Sequence, residues 1–207
     1  MKLLIPPPIE FFTTRDTGYF ADFIKEVQKR NPGYAGPKNV AEVQAKTYSG
    51  YNYSPGGITS SIKTGHFEKV LHTTKLWFGK ASVLDMGCAD GYFIPSLSKY
   101  FPEVVCADIE QGHCDSAEGL KQLIKADNVS VFCTEGKGLD TLCEKYKDHF
   151  DLIILLEVME HVGDPKDLWP SKLAFLKQVG TMLKPDGKII ITVPVMTGWR
   201  FLLKRSG

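Results

Sequence analysis

The chain has 207 residues, which suits one α/β domain with room for an extension. Its hydrophobic content of 43% and charged content of 24% are those of a globular protein and exclude a disordered chain. A net charge of +1 gives no electrostatic reason to expect binding to nucleic acid.

The first predicted elements form a polar, tyrosine-rich segment of about 80 residues. Apolar residues at helical spacing predict a helix over 18–30, and a short second helix is predicted over 40–46. A loop over 48–57 carries three tyrosines, which either stack on a ligand or pack the loop onto the sheet. A long helix over 60–80 completes this segment. We therefore expect residues 1–80 to form an N-terminal helical extension.

Strands and helices alternate regularly from residue 81. Strands are predicted over 82–86, 104–107, 129–133, 150–156 and 188–193, and helices over 91–100, 114–125, 139–148 and 172–183. The tetrapeptide at 184–187 is predicted to be a turn. Such alternation favours a Rossmann-like three-layer α/β sandwich with a mainly parallel sheet and right-handed crossovers. Residues 81–207 are expected to form this domain, in one compact unit with the extension.

The most informative stretch follows the first of these strands, from Asp85 to Tyr92 (Asp-Met-Gly-Cys-Ala-Asp-Gly-Tyr). Its small residues allow a backbone to approach a ligand closely. In open α/β sheets, such turns lie at the carboxyl ends of strands, where ligands bind. A dinucleotide requires G-x-G-x-x-G, but here the last position of that pattern falls on Tyr92. The spacing therefore disfavours a nicotinamide oxidoreductase.

The spacing Asp85-x-Gly87-x-Ala89-x-Gly91 resembles the first motif of class I S-adenosylmethionine-dependent methyltransferases, with Ala89 where that family usually has glycine. The stretches 150–165 and 184–194 resemble the family's fourth and fifth strands, most closely those of ubiquinone-biosynthesis O-methyltransferases. Together these motifs span residues 83–194, about half of the chain. The resemblance implies S-adenosyl-L-methionine as cofactor, S-adenosyl-L-homocysteine as product, and an extension that closes over the site as a lid.

Acidic residues at the predicted strand ends suit a cationic ligand without phosphate. Asp108 lies 23 positions after Asp85, where a carboxylate can accept hydrogen bonds from ribose hydroxyls. The resemblance also implies that Glu135 meets the adenine amino group. The complete predicted cofactor site is Asp85, Gly87, Cys88, Ala89, Asp90, Gly91, Tyr92, Asp108, Ile109, Glu135, Gly136, Leu156 and Glu157.

Glu157, Glu160 and His161 form a second cluster of chemical interest. If a helical turn begins at Glu157, positions i, i+3 and i+4 share one face at the mouth of the cleft. Three explanations compete for this cluster. It is structural, or His161 is a general base supported by Glu160, or the three residues bind a divalent metal. A metal site resembling that of small-RNA 2′-O-methyltransferases needs a further histidine after strand five, and residues 195–207 contain none. We therefore predict His161 and Glu160 as catalytic residues and no metal.

The predicted activity is transfer of a methyl group from S-adenosylmethionine to an oxygen or nitrogen of an unidentified acceptor. Near-neutral charge favours a small-molecule acceptor. The alternative is a protein that binds the cofactor without catalysis and acts through a partner. Its sequence basis is the short tail, since only 13 residues follow Pro194 and the family's C-terminal strands are missing.

Strand five is consequently expected to be an exposed edge, covered by the tail or used in a homodimer. The chain is accordingly either a fragment or a natural short form. Five cysteines without a CxxC pair indicate a reducing, cytoplasmic location. No apolar run is long enough to span a membrane.

Overall fold

Five parallel strands form the single sheet of the computed structural model, which describes residues 17–34, 38–39, 42, 48–49, 58–163 and 167–194. The strand order is β3-β2-β1-β4-β5, and every neighbouring pair is parallel. The strands are β1 (Ser82–Met86), β2 (Glu103–Asp108), β3 (Val129–Cys133), β4 (Phe150–Leu156) and β5 (Leu183–Thr192). The helices are α1 (Thr17–Arg30), α2 (Ile58–Thr74), α3 (Ile94–Tyr100), α4 (Gln111–Leu123), α5 (Gly138–Lys145) and α6 (Leu168–Gly180).

Burial on both faces explains why the central strands are apolar throughout. Alternate residues of a strand point to opposite faces, so β4 places Leu152 and Ile154 in one core and Ile153 and Leu155 in the other. Helices α1 to α4 contribute to the first core, and α5 and α6 contribute to the second. The predicted Rossmann-like sandwich is confirmed by this arrangement.

The N-terminal extension packs firmly on α4. Val27 of α1 is fully buried, and its Cγ2 lies 2.4 Å from the position that a Cβ on Gly119 would take. A second contact is polar, because Arg30 donates to Asp115 at 3.0 Å and the Asn31 amide donates to the same carboxylate. The extension and the sheet domain therefore share one core.

Several predicted elements differ from the observed ones, and helices α4, α5 and α6 all begin and end a few residues earlier than predicted. Helix α3 begins at Ile94 instead of residue 91, because Gly91 has a φ of +86° and cannot belong to a right-handed helix. Helix α2 ends at Thr74, where a short 3₁₀ turn over Lys75–Trp77 follows. The predicted turn at 184–187 lies inside β5, where the register with β4 jumps between Phe150 and Leu152.

Several predictions concern residues outside the described part of the chain. These are the helix over 40–46, the loop residues Tyr51 and Tyr53, and the tail from residue 195. In the described part, β5 is an edge strand. Its use in a homodimer, the cytoplasmic location and the division at residue 80 stay predictions. None of the described helices has the length and hydropathy needed to cross a membrane.

Candidate functional site

A cavity of about 640 Å³ opens at the carboxyl ends of β1, β2 and β4. Its volume lies within the range of about 300–1,000 Å³ typical of sites for cofactors and small molecules. Ten of the thirteen predicted cofactor residues line it: Asp85, Gly87, Cys88, Ala89, Tyr92, Asp108, Ile109, Gly136, Leu156 and Glu157. The predicted base His161 also lines it.

The turn after β1 has a left-handed backbone at its three small residues. Gly87, Ala89 and Gly91 have φ values of +84°, +47° and +86°. The N–H groups of Gly87 and Cys88 both donate to the carbonyl of Ala107, at 2.7 and 3.1 Å, and tie the turn to β2. A Cβ at Gly87 would lie 2.4 Å from Cγ2 of Val158. Glycine at position 87 is therefore required by both conformation and space.

Asp108 connects this turn to the start of α4. Its Oδ2 accepts the Ala89 N–H at 2.8 Å, and its Oδ1 accepts the Glu110 N–H at 3.0 Å and the His113 Nδ1–H at 3.2 Å. Burial by itself would raise the pKa of this carboxyl, but the three hydrogen bonds, led by that from His113, lower it below its usual value. Asp108 is therefore an ionised acceptor on the cavity wall.

The carboxyl of Asp85 is buried and forms no hydrogen bond with any described residue. It is 3% exposed, lines the cavity, and has no hydrogen-bond partner in the described part of the chain. Burial, and secondarily the charge of Asp108, raise the pKa of Asp85 to about 7. A buried polar group normally has a partner. A carboxyl that faces a cavity is available to a ligand with a positive or hydrogen-bond-donating group.

Asp90 and Gly91 do not line the cavity, and their role in cofactor binding stays a prediction. Asp90 is buried and accepts the Ser49 N–H at 2.9 Å as well as the Ser49 hydroxyl. It thus anchors the extension to the turn, and burial raises its pKa despite those hydrogen bonds. Gly91 is needed for packing, since a Cβ there would lie 3.0 Å from Cα of Ala117 on α4.

Glu135 is exposed and lies outside the cavity wall, although its neighbours Thr134 and Gly136 belong to it. Thr134 takes the inward position because its N–H and hydroxyl both bind the carbonyl of Asp108, at 2.7 and 3.1 Å. The chain turns outward at the next residue. The contact of Glu135 with adenine stays a prediction, and Thr134 and Gly136 are the residues of this segment that line the cavity.

The helical arrangement predicted for Glu157, Glu160 and His161 is wrong. Glu157 has a φ of +55°, so no right-handed turn begins there. Glu160 is exposed and outside the cavity, whereas His161 lies on its wall. Within the described ranges, the side chains of Glu160 and His161 have no hydrogen-bond or ion-pair partner, so the predicted support of His161 by Glu160 is absent.

Lys172 of α6 holds the loop that carries His161. Its Nζ donates to the carbonyl of Val162 at 2.7 Å and to the carbonyl of Met159. These two contacts bracket Glu160 and His161 in the chain. The position of His161 on the cavity wall consequently depends on a residue of the next helix.

His113 is a site residue that the sequence interpretation missed. It lines the cavity, donates to Asp108, and its Nε2 lies 3.6 Å from Oε2 of Glu110. The hydrogen bond to Asp108 is the main reason that its pKa is raised. The sequence offered one indication of this role, because His113 follows Asp108 by five residues and lies in the first turn of the next helix. Tyr48 of the extension packs edge-on at 6.2 Å from its ring.

The remaining wall is largely apolar. Phe67 of α2, Phe175 of α6, Val158 and Val162 line the cavity on the side of β4. Among the described residues, no group of three or more histidine, cysteine, aspartate or glutamate side chains is arranged to hold a metal ion. The site thus combines acids around the β1–β2 turn with an apolar wall beside β4.

The fold and this site define a class I nucleoside-binding α/β protein. The family model described as a methyltransferase domain matches residues 16–205. The chain therefore belongs to the methyltransferase-domain family, within the class I S-adenosylmethionine-dependent enzymes. S-adenosyl-L-methionine is the cofactor of this class, and S-adenosyl-L-homocysteine is its product.

Relatives and solved structures are similar to this chain over part of their length. A ubiquinone biosynthesis O-methyltransferase of Idiomarina loihiensis is 30% identical over 131 residues, which are 63% of this chain and 48% of that protein. A protein of the same name from Bradyrhizobium diazoefficiens is 29% identical, over 55% of this chain and 40% of its own length. The chain thus spans about half the length of the curated relatives it matches.

Among solved structures, the PH0226 protein of Pyrococcus horikoshii has a TM-score of 0.54 at 24% identity, covering 75% of this chain and 66% of its own. A methyltransferase of Archaeoglobus fulgidus has a TM-score of 0.50 at 21% identity, covering 68% of this chain and 57% of its own. These likenesses agree with the fold.

The residues present fit S-adenosylmethionine. Asp85 is an unsatisfied buried carboxyl suited to a cationic ligand, and Asp108 is an ionised acceptor suited to ribose hydroxyls. The turn from Gly87 to Ala89 places small residues on the cavity wall, so a ligand can approach its backbone closely. Within the described lining, no lysine or arginine offers an anchor for phosphate.

Proposed function

We propose that this protein transfers the methyl group of S-adenosylmethionine to an oxygen or nitrogen of a small-molecule acceptor. The observation that carries the proposal is the pair of buried acids, Asp85 and Asp108, beside the turn after β1, in a described lining that contains no lysine or arginine. The cofactor supplies an electrophilic methyl group on a sulfonium. The protein's own contribution is positioning of the acceptor and removal of its proton.

Each part of the cofactor is assigned to the end of a different strand. Gly87, Cys88 and Ala89 hold the methionine part against the turn, with Asp85 beneath it. Asp108 accepts hydrogen bonds from the ribose, beside His113, and Ile109 covers the adenine. Thr134 and Gly136 border the adenine in the position predicted for Glu135. These assignments are supported by the place of each residue on the cavity wall.

The acceptor binds beside β4. Phe67, Val158 and Phe175 form an apolar wall there, and His161 is positioned to bind an acceptor hydroxyl or to take its proton. An oxygen acceptor on an apolar, aromatic molecule fits this wall best. The similarity to proteins named ubiquinone biosynthesis O-methyltransferase supports oxygen over nitrogen. We further propose that the extension acts as a lid, because Tyr48 and Phe67 belong to the wall.

Two measurements test the proposal. Isothermal titration calorimetry with S-adenosylhomocysteine is expected to show one site per chain. Incubation with radiolabelled S-adenosylmethionine and a panel of phenols, aliphatic alcohols and amines is expected to label phenols first. Binding without transfer to any acceptor would favour a cofactor-binding protein without catalysis. Absence of binding would overturn the proposal altogether.

A further inference from the structure

A second histidine lies beside the site, next to the cavity-lining residue Glu157 and not on the cavity wall itself. Nδ1 of His66, on α2, lies 3.7 Å from Oε1 of Glu157, which lines the cavity at the end of β4. The His66 side chain is 42% exposed and that of Glu157 is 27% exposed, so the pair lies at the rim of the cavity. The next residue of the helix, Phe67, belongs to the cavity wall.

Glu157 is held in place from β5. The Thr192 hydroxyl donates to the same Oε1 at 3.2 Å, and the Glu157 N–H lies 3.2 Å from both the carbonyl and the hydroxyl oxygen of Thr192. The φ of +55° at Glu157 is a conformation that costs a non-glycine residue on the order of 1–3 kcal/mol. Thr192 therefore orients a carboxylate at a strained position, which is typical of functional sites.

We propose that His66 is the proton acceptor of the reaction and that Glu157 orients its ring; this rests on the proposed function. At 3.7 Å the Glu157 carboxylate is beyond hydrogen-bond distance, but its charge beside Nδ1 favours the neutral tautomer with its proton on that nitrogen and a lone pair on Nε2. Nε2 of His66 has no hydrogen-bond partner in the described part of the chain. Glu157 is the one charged side chain that the described residues bring within 4.0 Å of the ring.

The proton balance of the step is simple. As the acceptor oxygen forms its bond to the methyl carbon, its proton moves to Nε2 of His66 and the O–H electron pair stays on oxygen. The electron pair of the broken carbon–sulfur bond remains with sulfur. The imidazolium formed on His66 is stabilised by Glu157 and later releases its proton to solvent, which its exposed rim position allows.

His161 lacks these supports. It is exposed, and within the described ranges no side chain fixes its ring or its tautomer. The proton transfer is consequently assigned to His66, and His161 keeps the role of a binding group for the acceptor.

Three glutamine variants separate the two histidines. In His66→Gln, the side chain stays polar and of similar size beside Glu157 but cannot take a proton, so a merely structural role would be largely preserved. With catechol as the probe acceptor, we expect kcat/KM to fall about 100-fold and to lose its decrease at acidic pH. His161→Gln is expected to raise KM with little change in kcat. His72→Gln, an exposed histidine on the same helix, is the matched control.

A second measurement does not depend on turnover. NMR of protein with ¹⁵N-labelled histidine is expected to show the Nδ1–H tautomer of His66, shifted toward Nε2–H by Glu157→Gln and by Thr192→Val. An unchanged tautomer, or an unchanged pH profile in His66→Gln, would overturn this inference while leaving the methyltransferase proposal intact. A wild-type chain that binds no S-adenosylhomocysteine and labels no acceptor would overturn both.

Discussion

The backbone N–H of Ala89 donates to Oδ2 of Asp108 at 2.8 Å, and this bond joins the turn after β1 to the end of β2. One carboxylate thereby shapes the turn and also faces the cavity. Ala89 has a positive φ, which strains alanine more than glycine. The hydrogen bond to Asp108 stabilises this conformation of the turn.

Replacing Asp108 with Asn should weaken cofactor binding and loosen the turn together. The amide has one acceptor oxygen for the N–H groups of Ala89 and Glu110 and for the ribose hydroxyls. We expect the Kd for S-adenosylhomocysteine to rise at least ~10-fold, about 1.4 kcal/mol, by isothermal titration calorimetry. The control is Asp127→Asn, an exposed acid before β3, which should bind normally. Equal affinity in both variants would refute the role of Asp108.

Gly87→Ala should be strongly destabilising. The new Cβ would meet Cγ2 of Val158 at 2.4 Å and would sit on a residue with a φ of +84°. We expect the free energy of unfolding to fall by about 1–3 kcal/mol in urea denaturation. Val158→Ala in the same chain should recover part of this loss, since it removes the clash but not the backbone strain.

Gly112→Ala is the matched control for that experiment. Gly112 lies in α4, and apart from its chain neighbours and the backbone of its own helix no atom lies within 4 Å of the position that a Cβ on this residue would take. The alanine variant should therefore be about 0.5–1 kcal/mol more stable than wild type. A Gly87→Ala variant as stable as wild type would show that the turn can rearrange.

The pH dependence of stability should show the protonation of Asp85. Its folded pKa of about 7 lies above its value in the unfolded chain, so its protonation favours the folded state at low pH. That contribution should be lost between about pH 4 and pH 7, at a cost of up to roughly 4 kcal/mol. In urea titrations from pH 4 to pH 8, Asp85→Asn should remove this decrease. If the free energy of unfolding falls with pH equally in wild type and in Asp85→Asn, another group causes the decrease.

Lys172→Met should release the loop that carries His161. The thioether keeps much of the side-chain volume but cannot donate to the carbonyls of Met159 and Val162. Faster hydrogen exchange is expected at residues 159–163, together with a weaker affinity for the acceptor and little change in cofactor affinity. Lys177→Met, an exposed residue of the same helix, is the control. Identical exchange in the two variants would contradict the assignment.

Much of the sheet was predictable because its strands are short apolar runs between polar turns. The bounds of β1, β3 and β4 match the prediction, since burial on both faces leaves a continuous hydrophobic signal. The helix starts were less predictable. Gly91 looked like the first residue of α3, but it has a positive φ in the preceding turn and lies too close to Ala117 for a Cβ, a contact that no local pattern reveals.

The sequence by itself determined the class of fold, the turn at Gly87 to Gly91 and the acids Asp85 and Asp108, because each depends on residues close together in the chain. Tertiary structure decided which polar groups meet in the cavity. In the folded chain, the Glu135 side chain is exposed and Asp90 accepts hydrogen bonds from Ser49. His66 lies beside Glu157, although the two are about 90 residues apart in the sequence. Contacts between separate elements depend on how helices and strands pack in three dimensions, and residue spacing carries no record of that.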